Sequence, residues 1–289
     1  MSLGMVLEGG GMRGIYTAGV LDYFMERDFY PDGVVGVSAG ACHGCSYVSK
    51  QLKRSYRINT GYSQDPRYMS LRSLLFTGDY FGADFAYHRI PDELEPYDFE
   101  TFDRFKEKMP FYAVTTNVDT GKAEYFRIDD MKKEVDIVRA SASLPLMSRI
   151  VGIKGKRLLD GGIADSIPID FMRSKGYEKN IVVLTQPEGY RKGKNKLSGL
   201  IRLVYGKRYP KLAKAVEERH IVYNRTLDEL RELEERGEVF IIKPSEFIPV
   251  SRVERDVKVL NRMYKLGYND AVESFDSLLK FVQTQPRKV

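Results

Sequence analysis

Val34-Val35-Gly36-Val37-Ser38-Ala39-Gly40, followed by Ala41-Cys42-His43-Gly44, is the stretch on which the fold turns. A β-branched apolar run leads into Gly-x-Ser-x-Gly and then into a segment of small residues. Strand, sharp turn and helix in that order are the setting of a nucleophile elbow. The glycines have a steric reason. In so tight a turn, a Cβ two residues before or after the serine collides with neighbouring backbone. The pattern predicts a strand through Val37, a helix from Ala39 to Lys53, and Ser38 held between them as a nucleophile, with Gly36 and Gly40 as the elbow glycines.

Upstream, Leu3 to Glu8 reads as a buried strand that runs into Gly9-Gly10-Gly11-Met12-Arg13-Gly14, and Ile15 to Arg27 has a helical period with Val20, Leu21 and Phe24 on one face. Downstream, residues 54–108 carry twelve aromatic side chains interrupted by Pro66, Pro91 and Pro96, which suits an inserted cap of short helices and loops. Phe111 to Asn117 is a strand, with Lys122 to Arg127 as its hairpin partner. A helix over Val135 to Ser143, two short strands between Arg149 and Leu159, a short helix over Ile169 to Lys175 and a buried strand over Asn180 to Gln186 follow. A long charged helix over Ala213 to Arg236, a strand over Val239 to Lys243 and a helix over Val253 to Val282 complete the chain. Strands alternating with helices predict an α/β fold whose largely parallel sheet is covered on both faces. All 289 residues are expected to form one domain, with a motif-bearing core over 4–187 and a basic, helical extension over 188–289.

Composition narrows the class. Hydrophobic residues make up 43% and aromatics 12%, enough to fill a sizeable core. No run approaches the roughly 18 apolar residues of a membrane span, and no leader pattern stands at the amino terminus. Cys42 and Cys45 give no disulfide framework, so the expected location is the cytoplasm. The net charge of +6 is concentrated: eleven basic residues and two acidic ones lie between Gly189 and Arg225, so the rest of the chain is slightly acidic. Within 190–211, Leu197, Leu200, Ile201, Leu203 and Val204 are flanked by Lys192, Lys194, Lys196, Lys207, Arg208 and Lys211. That arrangement suits peripheral contact with an anionic membrane. A connector whose apolar face packs on the protein body is the other reading, and the one the pattern favours slightly. Nucleic acid is not expected, because the cations are interleaved with aliphatic residues and few aromatics.

Serine needs a base. The chain has three histidines: His43 on the helix that carries the serine, His88 in the cap and His220 on the long charged helix. None stands at a strand-end turn, so the search moves to carboxylates. Asp160 follows Arg157-Leu158-Leu159 and precedes Gly161-Gly162, at a turn where glycine lets another group come close. A shielded carboxylate there accepts the serine proton; an Asx turn is the other reading. The glycine loop exposes backbone N–H groups for an oxyanion, and Gly10 is a position where a Cβ obstructs that approach or bars a positive φ. The loop also fits Gly-x-Gly-x-x-Gly through Gly9, Gly11 and Gly14. A dinucleotide site, however, wants an acid at the end of the second strand, where Ser38 stands, and Asp32 lies before that strand. Cys42-His43-Gly44-Cys45 lies inside the elbow helix and reads as thiols packing that helix on the sheet rather than as a redox pair.

In their order, Gly9 to Gly14, Gly36 to Gly40 and Asp160-Gly161-Gly162 resemble the three signatures of the patatin-like phospholipase family. Thr115 to Gly121 and Arg139 to Pro145 resemble the segments between them, and the resemblance spans residues 4–187. It implies a three-layer α/β/α sandwich with a mostly parallel central sheet and a Ser38–Asp160 dyad without histidine. It also implies an oxyanion hole at the Gly10 and Gly11 amides, with Arg13 supporting the loop or meeting an anionic substrate group. The implied reaction is hydrolysis of fatty acyl esters in phospholipids or neutral glycerolipids, with no cofactor and no metal. Ser148-Arg149 departs from the family pattern, in which prolines often precede this strand. A catalytically silent lipid-binding or scaffold protein is the alternative in another class.

Overall fold

Strands that are apolar on both faces must be covered on both faces, and three such strands, buried throughout, form the centre of the sheet. The computed structural model describes residues 2–285. In chain order it contains β1 (Leu3–Leu7), a 3₁₀ turn (Gly11–Gly14), α1 (Ile15–Glu26), β2 (Gly33–Val37) and α2 (Ala39–Val48). The cap follows as α3 (Arg54–Tyr62), α4 (Leu71–Thr77), a π-helical segment (Phe85–Leu94) and α5 (Phe99–Phe105). Next come β3 (Phe111–Asn117), β4 (Ala123–Ile128), α6 (Met131–Ser141), β5 (Val151–Ile153), β6 (Lys156–Asp160) and a second 3₁₀ turn (Gly161–Ile163). The remainder is α7 (Ile169–Ser174), β7 (Lys179–Val183), α8 (Ser198–Tyr205), α9 (Pro210–Glu235), β8 (Val239–Ile242) and α10 (Val257–Gln283). No helix among the described residues is long and apolar enough to cross a membrane.

β1, β2, β3, β7 and β8 are parallel, and β4, β5 and β6 join antiparallel around β3. Side-chain alternation divides the core into two layers. Leu3, Met5 and Leu7 pack with α1, α2, α6, α10 and the cap on one face; Val6, Val35 and Val37 pack with α7 and α9 on the other. This is the expected three-layer arrangement.

The register of β3 positions the site. β4 occupies one edge of β3, from Phe111 to Thr116. The opposite edge is shared: β2 pairs up to Val37 opposite Val114, and β6 takes over with Asp160 opposite Thr115. β2 runs parallel to β3 and β6 antiparallel, so the two strands run head-on and their carboxy-terminal ends meet.

The three largest differences from the expected helix boundaries each have a local reason. α2 stops at Val48 rather than Lys53, because Ser49 Oγ bonds the Cys45 and Ser46 carbonyls, and Lys50 and Lys53 take positive φ. α6 starts at Met131 rather than Val135, since Asp130 caps it by accepting from the Lys133 N–H. α10 starts at Val257 rather than Val253, capped in the same way by Asp256 on the Lys258 N–H.

α10 is held to the core by close backbone approach to α1. A Cβ built on Gly267 lies 2.0 Å from the Tyr16 carbonyl oxygen, and one on Gly19 lies 2.1 Å from that of Tyr264. Reciprocal buried bonds flank the crossing: Tyr16 Oη donates to Asp270 at 2.9 Å and Tyr264 Oη donates to Asp22 at 2.7 Å. If the chain folds as one unit, Gly267→Ala lowers the Tm of a single unfolding transition, with a loss of about 1–3 kcal/mol typical of overpacking. An unchanged Tm in calorimetry, or two separate transitions, overturns that expectation.

Candidate active site

Ser38 sits at the carboxy-terminal end of β2 with φ 55° and ψ −120°, a strained backbone for a residue other than glycine. The flanking glycines are present for the steric reason inferred from the sequence. A Cβ at Gly36 lies 2.5 Å from the Ala41 Cα, and one at Gly40 lies 2.3 Å from the Leu7 carbonyl oxygen. The strained turn is held by the Ser38 N–H, which donates to Ser141 Oγ at 2.9 Å. Ser141 ends α6, within the Arg139 to Pro145 run.

Asp160 closes β6, its N–H donating to the Ser143 carbonyl at 2.7 Å. Its two oxygens divide the two readings of this residue. Oδ1 accepts the Gly162 N–H at 2.7 Å and sets the turn. Oδ2 is buried and has no hydrogen-bond partner among the described residues. Burial pushes the carboxyl pKa up, with Arg219, then the Ser38 hydroxyl and the Gly162 N–H, pulling against it. The Ser38 hydroxyl is thus close enough to influence Asp160, yet no hydrogen bond of ordinary geometry joins it to Oδ2. Such contacts are often loose before substrate binds.

None of the three histidines hydrogen-bonds Ser38 or Asp160. His43 is buried on α2, its Nε2 unpartnered and its pKa lowered to about 4 by burial, so it stays neutral. His88 lines the cavity under the cap, and His220 Nδ1 lies 2.9 Å from the Glu217 carbonyl oxygen.

The glycine loop lies against the nucleophile: a Cβ on Gly9 stands 2.9 Å from the Ser38 Cβ. The N–H groups of Gly10 and Gly11 donate to no described residue, whereas the next one, Met12 N–H, bonds the Arg252 carbonyl at 3.1 Å. The positive φ expected at Gly10 belongs instead to Gly11. Gly10 has φ −157° and ψ 1°, while Gly11 has φ +59° and packs so closely on Arg252 that a Cβ lies 2.6 Å from its carbonyl oxygen. A Cβ on Gly10 meets Thr185 Oγ1 at 3.0 Å. The side chain of Arg13, expected to support the loop or meet an anion, makes no hydrogen bond to a described residue, and its Nε is buried.

Sequence reasoning missed Glu8. It is 1% exposed and accepts from the Thr185 N–H at 2.6 Å, Thr185 Oγ1 at 3.0 Å and Tyr223 Oη at 2.7 Å. These bonds brace Thr185 against Gly10. An ionisable residue closing an otherwise apolar strand was the available signal. Asp32 is likewise structural, accepting the Leu3 N–H at 2.7 Å.

A cavity of about 340 Å³ lies beneath the cap, lined by Cys42, Tyr68, Phe81, Tyr87, Tyr97 and Val138 among others. Ser38 and Asp160 do not line it; Cys42 approaches them most nearly in sequence, one turn beyond Ser38 on the same helix face. Contrary to expectation, the two cysteines face the cap and α6 rather than the sheet. Cys42 Sγ is 3.8 Å from Tyr87 Oη, and Cys45 Sγ is 4.0 Å from Met131 Sδ. Burial raises both thiol pKa values, that of Cys42 to about 11, so neither is a poised redox thiol. The departure at Ser148-Arg149 has its own anchor: buried Asp79 accepts from the Arg149 N–H at 2.9 Å and also pairs with Arg139.

Among curated proteins, the chain is 30% identical over 188 residues to "Uncharacterized protein YjjU" of Escherichia coli (strain K12), covering 64% of this chain and 52% of that one. It is 29% identical over 182 residues to "Lysophospholipase nte1" of Aspergillus niger, covering 61% of this chain and 11% of that one. The chain therefore spans about half the length of the first relative and about a tenth of the second. Among solved structures, VipD from Legionella pneumophila aligns with a TM-score of 0.49 at 15% identity, over 96% of this chain and 67% of that one. Residues 209–283 match the Domain of unknown function (DUF6363). Residues 5–173 match the model for patatin-like phospholipase, and the chain belongs to the patatin-like phospholipase family.

Proposed function

We propose that this protein is a serine acyl hydrolase that cleaves fatty acyl esters of phospholipids or other lipids through a Ser38–Asp160 dyad. The observation that carries this reading is Asp160 Oδ2, a buried carboxylate oxygen without a hydrogen-bond partner among the described residues, beside a strained serine. Ser38 Oγ attacks the ester carbonyl while Oδ2 takes its proton. The free Gly10 and Gly11 N–H groups receive the developing oxyanion. Oδ2 returns the proton to the departing alcohol, leaving an acyl-serine. Water, deprotonated by the same oxygen, attacks the acyl carbonyl, and the bond to Ser38 Oγ breaks as Oδ2 returns the proton to it, releasing the fatty acid. The steps call for neither cofactor nor metal. The cavity under the cap, aromatic-lined and within the usual size of a small-ligand pocket, suits the acyl chain. Family membership and the lysophospholipase named among the relatives support a lipid ester as the substrate.

The same reading includes peripheral contact with an anionic membrane. α8 is seated by Ile201, 3% exposed, and leaves Leu203 80% exposed; α4 exposes Leu75 at 83% and Phe76 at 80%. Both helices flank one loop. The Leu146 N–H donates to Tyr205 Oη at 3.3 Å, at the end of α8, and the Tyr80 N–H donates to the Met147 carbonyl at 2.8 Å, just past α4. Four residues before Met147, Ser143 accepts the Asp160 N–H, so this apolar rim adjoins the proposed dyad. Lys194, Lys196, Lys207 and Arg208 are exposed around it. Lys192, counted with them from sequence, is half-buried over the Tyr223 ring.

On short-chain esters, Ser38→Ala and Asp160→Asn each lower kcat by roughly 10⁴-fold or more, and the double variant is little worse than either. Turnover abolished by His43→Ala but kept by Asp160→Asn refutes the dyad. Because the base must be ionised and burial raises its pKa, kcat/KM falls with decreasing pH at values above the ordinary carboxylate range. Gly10→Ala is expected to reduce kcat by about 10²–10³-fold with little change in KM; a defect in KM alone moves the loop from catalysis to docking. In vesicle co-sedimentation, wild type favours anionic over zwitterionic lipid and Lys194/Lys196/Lys207→Glu loses that preference, each cation near the surface contributing about 1 kcal/mol. Equal binding to both lipids, or no effect of the charge reversal, removes the membrane contact.

A further inference from the structure

Four cations lie near one another, two of them, Arg219 and Arg252, beside Asp160, and none makes a salt bridge to a described residue. Arg13 comes from the turn after β1, Lys192 from the segment after β7, Arg219 from α9 and Arg252 from the segment before α10. Neighbouring cations of the same basic window are paired: Arg191 with Asp228, Arg202 with Glu217 and Lys214 with Glu218.

Several contacts fix their convergence. A Cβ built on Gly162 lies 2.8 Å from Arg219 Nη2 and 3.0 Å from Asp160 Oδ1. The Arg252 carbonyl holds Met12, the residue before Arg13. Lys192 Nζ stands 4.0 Å over the ring of Tyr223, whose hydroxyl reaches Glu8. Burial, together with the charges of Arg219, Arg252 and Arg13, lowers the Lys192 pKa to about 7.

The carboxylates that act on Lys192 and Arg219 are Glu8 and Asp160. Glu8 is occupied by Thr185 and Tyr223, and Asp160 is the proposed base. The Nε atoms of Arg13 and Arg219 are buried and have no hydrogen-bond partner among the described residues. Buried guanidinium edges left unpaired cost free energy, which a bound anion recovers. Arg219 and Arg252 line a cavity of about 70 Å³ together with Pro145, Ile163, Leu197 and Ile201. Apart from these two cations the lining is mostly apolar.

We propose that Arg13, Lys192, Arg219 and Arg252 form a subsite for the phosphate of an anionic headgroup carried by the ester substrate, an inference that rests on the acyl-hydrolase reading. Planar guanidinium forks suit phosphate oxygens. The cluster offers no uncommitted carboxylate for the ammonium of a choline or ethanolamine headgroup, so selection favours net-negative lipids. Three of the four cations lie outside residues 5–173, the stretch that carries the family match. Headgroup choice is thus assigned to the carboxy-terminal part of the chain.

The test reads binding without turnover. Ser38→Ala protein is titrated calorimetrically with monomeric dihexanoyl phosphatidate, dihexanoyl phosphatidylcholine and inorganic phosphate. The titrations are repeated with Lys192→Met or Arg252→Met added, folding being checked by thermal melting. Phosphatidate is expected to bind at least about tenfold tighter than phosphatidylcholine. Either added substitution should weaken phosphatidate by about 10–100-fold, the loss of one charge-assisted bond, and Lys192→Arg should restore it. Equal affinity for the two lipids, or phosphatidate binding that ignores both substitutions, overturns the proposal. Inorganic phosphate binding as tightly as phosphatidate also overturns it and leaves a site for the free ion. Failure of the dyad reading is a separate result, ester turnover that persists in Ser38→Ala.

Discussion

β3 lends one edge to two strands that run head-on, and the rest of the site depends on that constraint. A strand edge is a single row of donors and acceptors, so β6 begins to pair only where β2 stops, at the step from Val114 to Thr115. Ser38 is the first residue past β2 and Asp160 the last of β6. Their proximity follows from ladder hydrogen bonds to a strand that lies between the two glycine motifs in sequence, and needs no direct bond between the two side chains. The sheet aligns a proposed nucleophile and base as its strands pair.

Around that junction, groups approach more closely than side chains allow. Gly40 rests on the Leu7 carbonyl, Gly161 on that of Val114, and Gly9 against Ser38. Each contact removes a Cβ and brings backbone to where chemistry requires it. Strain at Ser38 persists because its surroundings over-determine it, with Ser141 taking its N–H and the elbow glycines closing in from both sides. The fold also carries polar burial here that an apolar core would avoid, in Asp160 Oδ2 and in the edges of Arg13 and Arg219. Such costs concentrate where function is expected.

The carboxy-terminal part of the chain belongs to this arrangement. Arg252 braces the glycine loop through its carbonyl, Tyr223 holds Glu8, and α10 lies on α1 at a glycine-to-glycine crossing. A segment that reads as a basic, helical extension is therefore wrapped back onto the oldest landmarks of the sequence, the first strand and its glycine loop. The exposed apolar residues of α8 stand beside it, tied to the Leu144 to Arg149 loop through Tyr205.

Local chemistry by itself determined a good deal. Gly-x-Ser-x-Gly between an apolar run and a small-residue helix specifies an elbow, because only glycine is free of the clash. Unbroken apolar strands specify a sheet covered on both faces, because neither face tolerates water. The scarcity of histidine directed attention to Asp160. Helix ends at Val48, Met131 and Val257 were less legible, since single side-chain caps decide them and similar residues stand nearby. What only the tertiary structure decided is which distant groups meet. The register of β3 sets Asp160 beside Ser38, Glu8 finds Thr185 and Tyr223 across the sheet, and Arg219 and Arg252, from separate segments, line one cavity. Charge and burial in such a cavity depend on the packing of whole layers, and no window of sequence contains that information.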